Sequence, residues 1–151
     1  MMPARRLLIL VSVLPPQVAS LLPLPQPALV QTPALDFEFF KARVQPIFLY
    51  KRDGHARCYV CHRGNGTGTS YLQVLPSGAA TWDDGQAQKN FESVKRFVRP
   101  GDPMKSRLLT HPLEEEAGGD QFHSGGKHWA SQSDPEWQTL AAWVKGATLH
   151  N

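Results

Sequence analysis

Apolar side chains recur three or four residues apart in several stretches of this chain, which is the period of one face of an α-helix. The first stretch begins near Asp36, a residue type suited to cap a helix, and the last begins at Ser133-Asp134-Pro135. The apolar positions that define the two faces are Phe37, Phe40, Val44 and Phe48, and Trp137, Leu140, Ala141 and Val144. The pattern predicts a helix at each end of the folded region, with Pro46 kinking or ending the first one.

Two further helices are predicted between these ends. One covers residues 84–98 and stops at Pro100-Gly101, and a shorter one begins at Asp102-Pro103 and ends near His111-Pro112. The intervening segments are a glycine-rich loop at 63–70, a short apolar run at 71–75 that is either a brief strand or irregular chain, and a loop-rich region at 112–133. The folded region is therefore expected to be mainly helical.

The N-terminus has the pattern of an export signal. Arg5 and Arg6 precede an apolar run at 7–14, and small residues at 18–20 offer a cleavage site. Many prolines follow, so the expected organisation is a signal peptide at 1–20, a proline-rich linker at 21–34 and one domain at 35–151. The apolar run is too short to span a bilayer, and membrane association is expected only through an uncleaved leader. This predicts a periplasmic or otherwise exported protein.

Charge adds little to this description. The 151-residue chain has a formal charge of +3, and two of its positive residues are Arg5 and Arg6 in the leader. The small remaining excess argues against nucleic acid as a partner.

The candidate chemistry lies in Cys58-Tyr59-Val60-Cys61-His62, a C-x-x-C-H motif. This is the attachment signature of c-type haem. Two thiols at this spacing can form thioether bonds with the two vinyl groups of one haem, and the following histidine is placed to bind the iron. The motif predicts one covalent haem c, held by Cys58 and Cys61, with His62 as an iron ligand.

Three other interpretations compete for the same residues. A redox-active C-x-x-C expects a βαβ context, which the helical pattern does not provide. A zinc site would join Cys58 and Cys61 to a distant histidine, for which His123 and His128 form a loose pair. An ordinary disulfide or two free thiols is the third. The export signal, the isolated C-x-x-C-H and the helical pattern together favour haem.

Four segments in order carry a resemblance to a known family: Val44 to Phe48 at the end of the first helix, the CYVCH motif, Gly-Asp-Pro-x-x-Ser at 101–106, and Trp-Val-Lys-Gly-Ala at 143–147. Over roughly residues 36–148 the chain resembles class I c-type cytochromes, and it looks most like the short cytochrome domains of planctomycetes and acidobacteria. The resemblance implies an all-α class I cytochrome c fold, with crossed N- and C-terminal helices around one haem that has an exposed edge.

The sixth iron ligand is where the chain departs from that family. Related cytochromes usually supply a methionine from the loop before the last helix, but no methionine follows Met104 here. His123 stands in that loop, followed by Gly125 and Gly126, so it is the predicted second iron ligand. Met104, His111, His128 or an open site remain alternatives, while His55 and His150 are interpreted as surface residues.

The motif and the resemblance predict electron transfer between redox protein partners, with no enzymatic step. An open sixth site would instead suit a haem-based ligand-binding sensor or a peroxidase-like protein. Basic residues surround the motif, and they form either a docking surface for an acidic redox partner or a solvated loop that balances the haem propionates. These residues are Lys51, Arg52, Arg57 and Arg63.

Overall fold

The structure is a computed structural model and describes residues 31–64 and 69–150. The expected signal peptide at 1–20, most of the linker at 21–34 and the middle of the glycine-rich loop lie outside the described residues. In the part of the chain that the structure describes, no helix has both the length and the apolar character needed to cross a membrane.

The N-terminal helix begins after Asp36, as the sequence predicts. The Asp36 carboxylate accepts a hydrogen bond from the Phe39 N–H at 2.6 Å, which caps the first turn. The N-terminal helix then consists of α1 (Phe37–Phe39), a π-helical turn (Phe40–Val44) and α2 (Gln45–Leu49), which follow one another without interruption.

Pro46 does not end this helix, so of the two expected outcomes, a kink or an end, the end is excluded. A proline lacks the N–H that an α-helix uses and crowds the carbonyl four residues before it. Here the π turn lies directly before Pro46, and the Gln45 N–H reaches back to the Phe40 carbonyl. The wider turn changes the backbone spacing where the proline enters, and the chain stays helical to Leu49.

The C-x-x-C-H motif forms its own short helix, α3 (Cys58–His62), which runs directly into a strand. That strand, β1 (Arg63–Gly64), pairs in parallel with β2 (Leu72–Gln73). This two-stranded sheet lies outside the predicted helices. Its second strand falls within the apolar run at 71–75, which the sequence left as either a brief strand or irregular chain. Gly64 permits the close approach, because a Cβ there would lie 2.5 Å from the Ser70 Cβ.

The middle helices form where the sequence predicts them. Helix α4 (Asp84–Val94) begins with a capping box between Asp83 and Gln86, and a 3-10 turn at Lys95–Phe97 extends it. Asp102 caps a 3-10 turn at Pro103–Lys105, which leads into α5 (Arg107–Thr110).

The last helix, α6 (Pro135–Val144), is capped by Asp134 and packs on the N-terminal helix. Trp143 is fully buried, its Nε1–H donates to the Asp36 carbonyl at 2.9 Å, and its ring lies 5.3 Å from that of Phe40. Burying an aromatic side chain of this kind contributes about 2 kcal/mol to the free energy of unfolding. The residues of both predicted apolar faces therefore contribute to one core, and Trp143, which the sequence did not place on either face, joins it.

Candidate functional site

Helix α3 is fixed to the core by Tyr59, which lies between the two cysteines. Tyr59 is buried, its hydroxyl accepts a hydrogen bond from the Leu75 N–H at 2.9 Å, and its ring packs edge-on against Trp82. Cys58 and Cys61 are both free thiols, Cys58 partly buried and Cys61 exposed. Because residues three apart share a helix face, the two thiols lie one turn apart on α3.

A cavity of about 510 Å³ opens beside α3. Cys58 and His62 of the motif line it, together with apolar side chains from several elements and three further histidines. The other lining residues are Ile47, Phe48, Thr69, Tyr71, Arg96, Phe97, Arg107, Leu108, His111, Pro112, His123, His128 and Trp129. Its size and its mainly apolar walls are those of a cofactor or small-molecule site.

Burial affects the Cys58 thiol. Desolvation raises the pKa of Cys58 above its usual value, while the positive charge of Arg52 acts in the opposite direction. The thiol form therefore predominates at neutral pH.

His62 is held in one orientation by a backbone carbonyl and by an aromatic ring. Its Nδ1–H donates to the Thr69 carbonyl at 2.7 Å, and its ring stacks on Tyr71 at a centroid distance of 4.6 Å. Burial lowers the pKa of His62, which favours the neutral ring. With Nδ1 engaged, Nε2 is the nitrogen left to bind a metal.

His123 faces His62 across the cavity. The two ring centroids are 6.2 Å apart and the ring planes are inclined by 19°. The His123 Nδ1–H donates to the Gly126 carbonyl at 2.6 Å, so its Nε2 is also left unused. Burial lowers the pKa of His123 as well. Gly125 allows this arrangement, because a Cβ at that position would lie 3.1 Å from the His123 ring.

The loop between α5 and α6 brings the other histidines to the same cavity. It folds back on itself through hydrogen bonds from the His128 N–H to the Pro112 carbonyl at 2.7 Å and from the Glu114 N–H to the Trp129 carbonyl at 2.9 Å. As a result, the His123 ring lies 4.8 Å from that of His111 and 5.6 Å from that of His128.

These two neighbours differ in their polar contacts. The His111 Nδ1–H donates to the Asp120 carboxylate at 2.7 Å. The His128 Nδ1 is buried without a hydrogen-bond partner in the described residues, and burial together with the charge of Arg52 lowers the pKa of His128 to about 4. Sequence reasoning missed both Thr69 and Asp120 as contacts of cavity histidines, since neither stands near its histidine in a recognisable motif.

The remaining alternatives lie elsewhere. Met104 is 38% exposed and does not line the cavity; its side chain packs near Gly118 instead. The His55 ring packs against that of His128 at a centroid distance of 5.4 Å and an angle of 54° without lining the cavity, so His55 is half-buried rather than a surface residue, whereas His150 is exposed. The described residues contain no group of three or more His, Cys, Asp or Glu side chains arranged to hold a metal ion by themselves, so they do not assemble the zinc set considered above.

The basic cluster around the motif divides into two parts. Lys51, Arg57 and Arg63 are exposed. Arg52 is only 11% exposed in its side chain and forms an ion pair with Glu136 of α6. Glu136 also accepts a hydrogen bond from the Trp129 indole at 3.2 Å, so this carboxylate joins the basic loop to the cavity wall. Arg52 is therefore a structural residue, and the other three remain candidates for a docking surface.

Comparison with known protein families, with curated proteins and with solved structures gives no match to this chain. The function is therefore argued from the residues of the cavity and their geometry.

Proposed function

We propose that this chain is a monohaem c-type cytochrome that transfers electrons, with haem attached through Cys58 and Cys61 and iron bound by His62 and His123. The observation that carries the proposal is the pair of facing imidazoles. One belongs to a C-x-x-C-H motif, and each has its Nδ1–H directed to a backbone carbonyl, which leaves Nε2 for a metal.

The distance between the rings is compatible with both histidines holding one metal ion. A metal–imidazole bond is about 2 Å long, so two imidazoles that bound the same ion could have ring centroids about 6 Å apart. The observed centroid distance between His62 and His123 is 6.2 Å. A porphyrin supplies the four remaining ligands, so only these two protein ligands are needed.

The cavity walls fit a flat apolar group. Phe48, Tyr71, Leu108 and Trp129 supply apolar surface, and Cys58 lines the same cavity. Cys61 is exposed, one helical turn from Cys58, and the two thiols would hold the haem through thioether bonds.

Bound haem supplies reversible one-electron exchange with no bond-making step. The chain's task is then to hold and tune that group. His62 and His123 would hold the iron through two imidazoles, which give a lower potential than an imidazole and a thioether. The apolar side chains of the cavity would lower the polarity around the group, which further tunes the potential. No catalytic residue is assigned.

The class I cytochrome c fold is part of this proposal. Its support is the packing of α6 on the N-terminal helix through Phe40 and Trp143, next to a cavity bordered by the motif. Export to the periplasm, inferred from the N-terminal sequence, belongs to the same proposal. The exposed Lys51, Arg57 and Arg63 beside the motif suit an acidic redox partner.

The test is to express the full chain together with cytochrome c maturation factors and examine the purified protein. We expect haem to stay on the chain after denaturation, to give a c-type reduced spectrum and to show low-spin, bis-imidazole ferric iron by electron paramagnetic resonance. Cys58→Ala/Cys61→Ala should lose the covalent haem, whereas the matched surface variant His150→Ala and the alternative-ligand variant Met104→Ala should match wild type.

Other outcomes would redirect the assignment. A purified wild type that carries zinc and no haem would overturn the proposal. Ferric iron that is high-spin in wild type would favour a ligand-binding or peroxidase-like protein, and loss of the low-spin signal in Met104→Ala alone would make the sixth ligand a thioether.

A further inference from the structure

Four histidines line one cavity, but an iron with haem leaves room for only two of them. We propose that His111 is a standby ligand: when His123 leaves the iron, His111 binds in its place. This inference rests on the proposed function and assigns a role to a histidine that the function itself does not require.

His111 is close enough to His123 to share its place. The two ring centroids are 4.8 Å apart and the planes meet at 78°. The His111 side chain is 27% exposed and lines the same cavity. A modest displacement of the His123 ring would therefore let the His111 ring enter the same region of the cavity.

His111 also has the polar contact expected of a metal-binding histidine. Its Nδ1–H donates to the Asp120 carboxylate at 2.7 Å, which fixes the ring and leaves Nε2 free. A carboxylate in this position makes the other nitrogen a better ligand and is a recurring partner of histidines bound to metals. His128 lacks such a contact, because its Nδ1 is buried without a partner in the described residues.

The backbone around His111 is held more firmly than that around His123. The His111 N–H donates to the Arg107 carbonyl at 3.0 Å at the end of α5, and Lys127 Nζ donates to the carbonyls of both His111 and Asp120. His123 instead belongs to a short glycine-containing turn, in which its carbonyl accepts from the Gly126 N–H at 2.9 Å. A ligand on such a turn is the one expected to leave first.

The test compares the spin state of the haem-loaded protein in a set of variants. We expect ferric His123→Ala to remain largely low-spin because His111 takes the sixth position. His123→Ala/His111→Ala should become high-spin. If His111 occupies about nine-tenths of His123→Ala molecules, the double variant should bind carbon monoxide in the ferrous state about tenfold more tightly than His123→Ala.

The controls use neighbouring residues. His111→Ala alone and His128→Ala alone should stay low-spin like wild type. His123→Ala/His128→Ala should resemble His123→Ala, because His128 has no standby role. Asp120→Ala should leave wild type unchanged but raise the high-spin fraction in the His123→Ala background, since it removes the contact that orients His111.

Photolysis of carbon monoxide from the ferrous protein tests the standby role of His111 without relying on the His123→Ala/His111→Ala variant. Wild type should show two phases of internal ligand return, and His111→Ala should lose one of them. A single phase in both proteins overturns the standby role, as does a fully high-spin His123→Ala. In either case covalent low-spin haem in wild type would leave the proposed function standing, whereas absence of covalent haem would remove both.

Discussion

At the scale of single residues, the cavity histidines are distinguished by what their Nδ1 atoms contact. His62 and His123 each donate to a backbone carbonyl and His111 donates to a carboxylate. His128 is buried without such a partner, and burial with the nearby charge of Arg52 holds its pKa at about 4. The residue type is the same in all four cases, so the surroundings decide which rings are prepared to bind a metal.

The lowered pKa of His128 makes a prediction about pH. The unfolded chain protonates this ring below about pH 6.5, whereas the folded protein keeps it neutral down to about 4. Between these values the unfolded state binds more protons, so the free energy of unfolding falls as the pH is lowered. His128→Leu should weaken this dependence, by at most about 2 kcal/mol across the window after allowance for solvent screening.

Denaturant unfolding of the protein at several pH values measures this effect. At pH 7.5 the variant should be as stable as wild type or slightly more so, because it removes a buried polar atom that has no partner. His150→Leu, at an exposed position, is the matched control and should follow wild type. Parallel pH profiles for His128→Leu and wild type would contradict the prediction.

At the scale of elements, the loop between α5 and α6 positions the cavity through close backbone contacts. Gly119 is the tightest point, since a Cβ there would lie 1.9 Å from the Leu113 carbonyl oxygen. Its N–H donates to the Glu114 carbonyl at 2.9 Å, and the next residue, Asp120, donates its N–H to the Thr110 carbonyl at 3.0 Å. The absence of a side chain at Gly119 thus lets Asp120 reach His111.

Gly119→Ala should therefore force the turn away from Leu113 and separate Asp120 from His111. We expect a loss of roughly 2 kcal/mol or more in the free energy of unfolding, because the clash is with backbone that cannot rotate away. Gly85→Ala is the control: Gly85 does not have a positive φ, and its Cβ would meet only the Asp83 carboxylate at an ordinary contact distance of 3.4 Å. Denaturant unfolding compares the two, and equal losses would argue against the close contact.

The elements also show what local sequence signals can predict. Asp36, Asp102 and Asp134 each cap a helical segment where the sequence placed one, because a cap is decided by a few neighbouring residues. The sequence left open whether the N-terminal helix ends at Pro46 or continues with a kink, and the way in which it continues was not predicted. It depends on a π turn, which has no comparable sequence signature.

At the scale of the whole molecule, Glu136 connects the basic loop before the motif to α6 and to the cavity wall. It forms an ion pair with Arg52 and accepts a hydrogen bond from Trp129. Arg52 has little contact with solvent, so removal of Glu136 leaves a buried charge without compensation. Loss of one partner from such a pair costs about 3 kcal/mol.

A double-mutant cycle with Arg52→Met and Glu136→Leu should give a coupling energy above about 1 kcal/mol. Each single variant leaves one charge of the pair without its counterpart, whereas the double variant removes both charges. The exposed pair of Lys95 and Glu92, at 2.6 Å, is the control and should couple by less than about 1 kcal/mol. Denaturant unfolding of wild type and the three variants of each cycle supplies the values. Equal coupling in the two cycles would show that Arg52 and Glu136 do not stabilise the fold as a buried pair.

The sequence by itself determined the features that depend on neighbouring residues. The C-x-x-C-H spacing defined Cys58, Cys61 and His62 as one chemical unit, and the apolar periodicity located the two end helices whose faces meet at Phe40 and Trp143. These signals are local, because a motif or a helix face is defined by residues that lie close together in the sequence.

Only the tertiary structure decided which distant residues share the cavity. It brought His123 opposite His62, placed His111 and His128 beside them, left Met104 outside, and withdrew Arg52 from the basic surface. The sequence had pointed to His123 from its place in the loop before the last helix, but it left His111, His128 and Met104 open, because their positions depend on how the loop between α5 and α6 folds back over the motif. The physical reason is that ligand geometry is set by packing and by backbone hydrogen bonds between segments far apart in sequence.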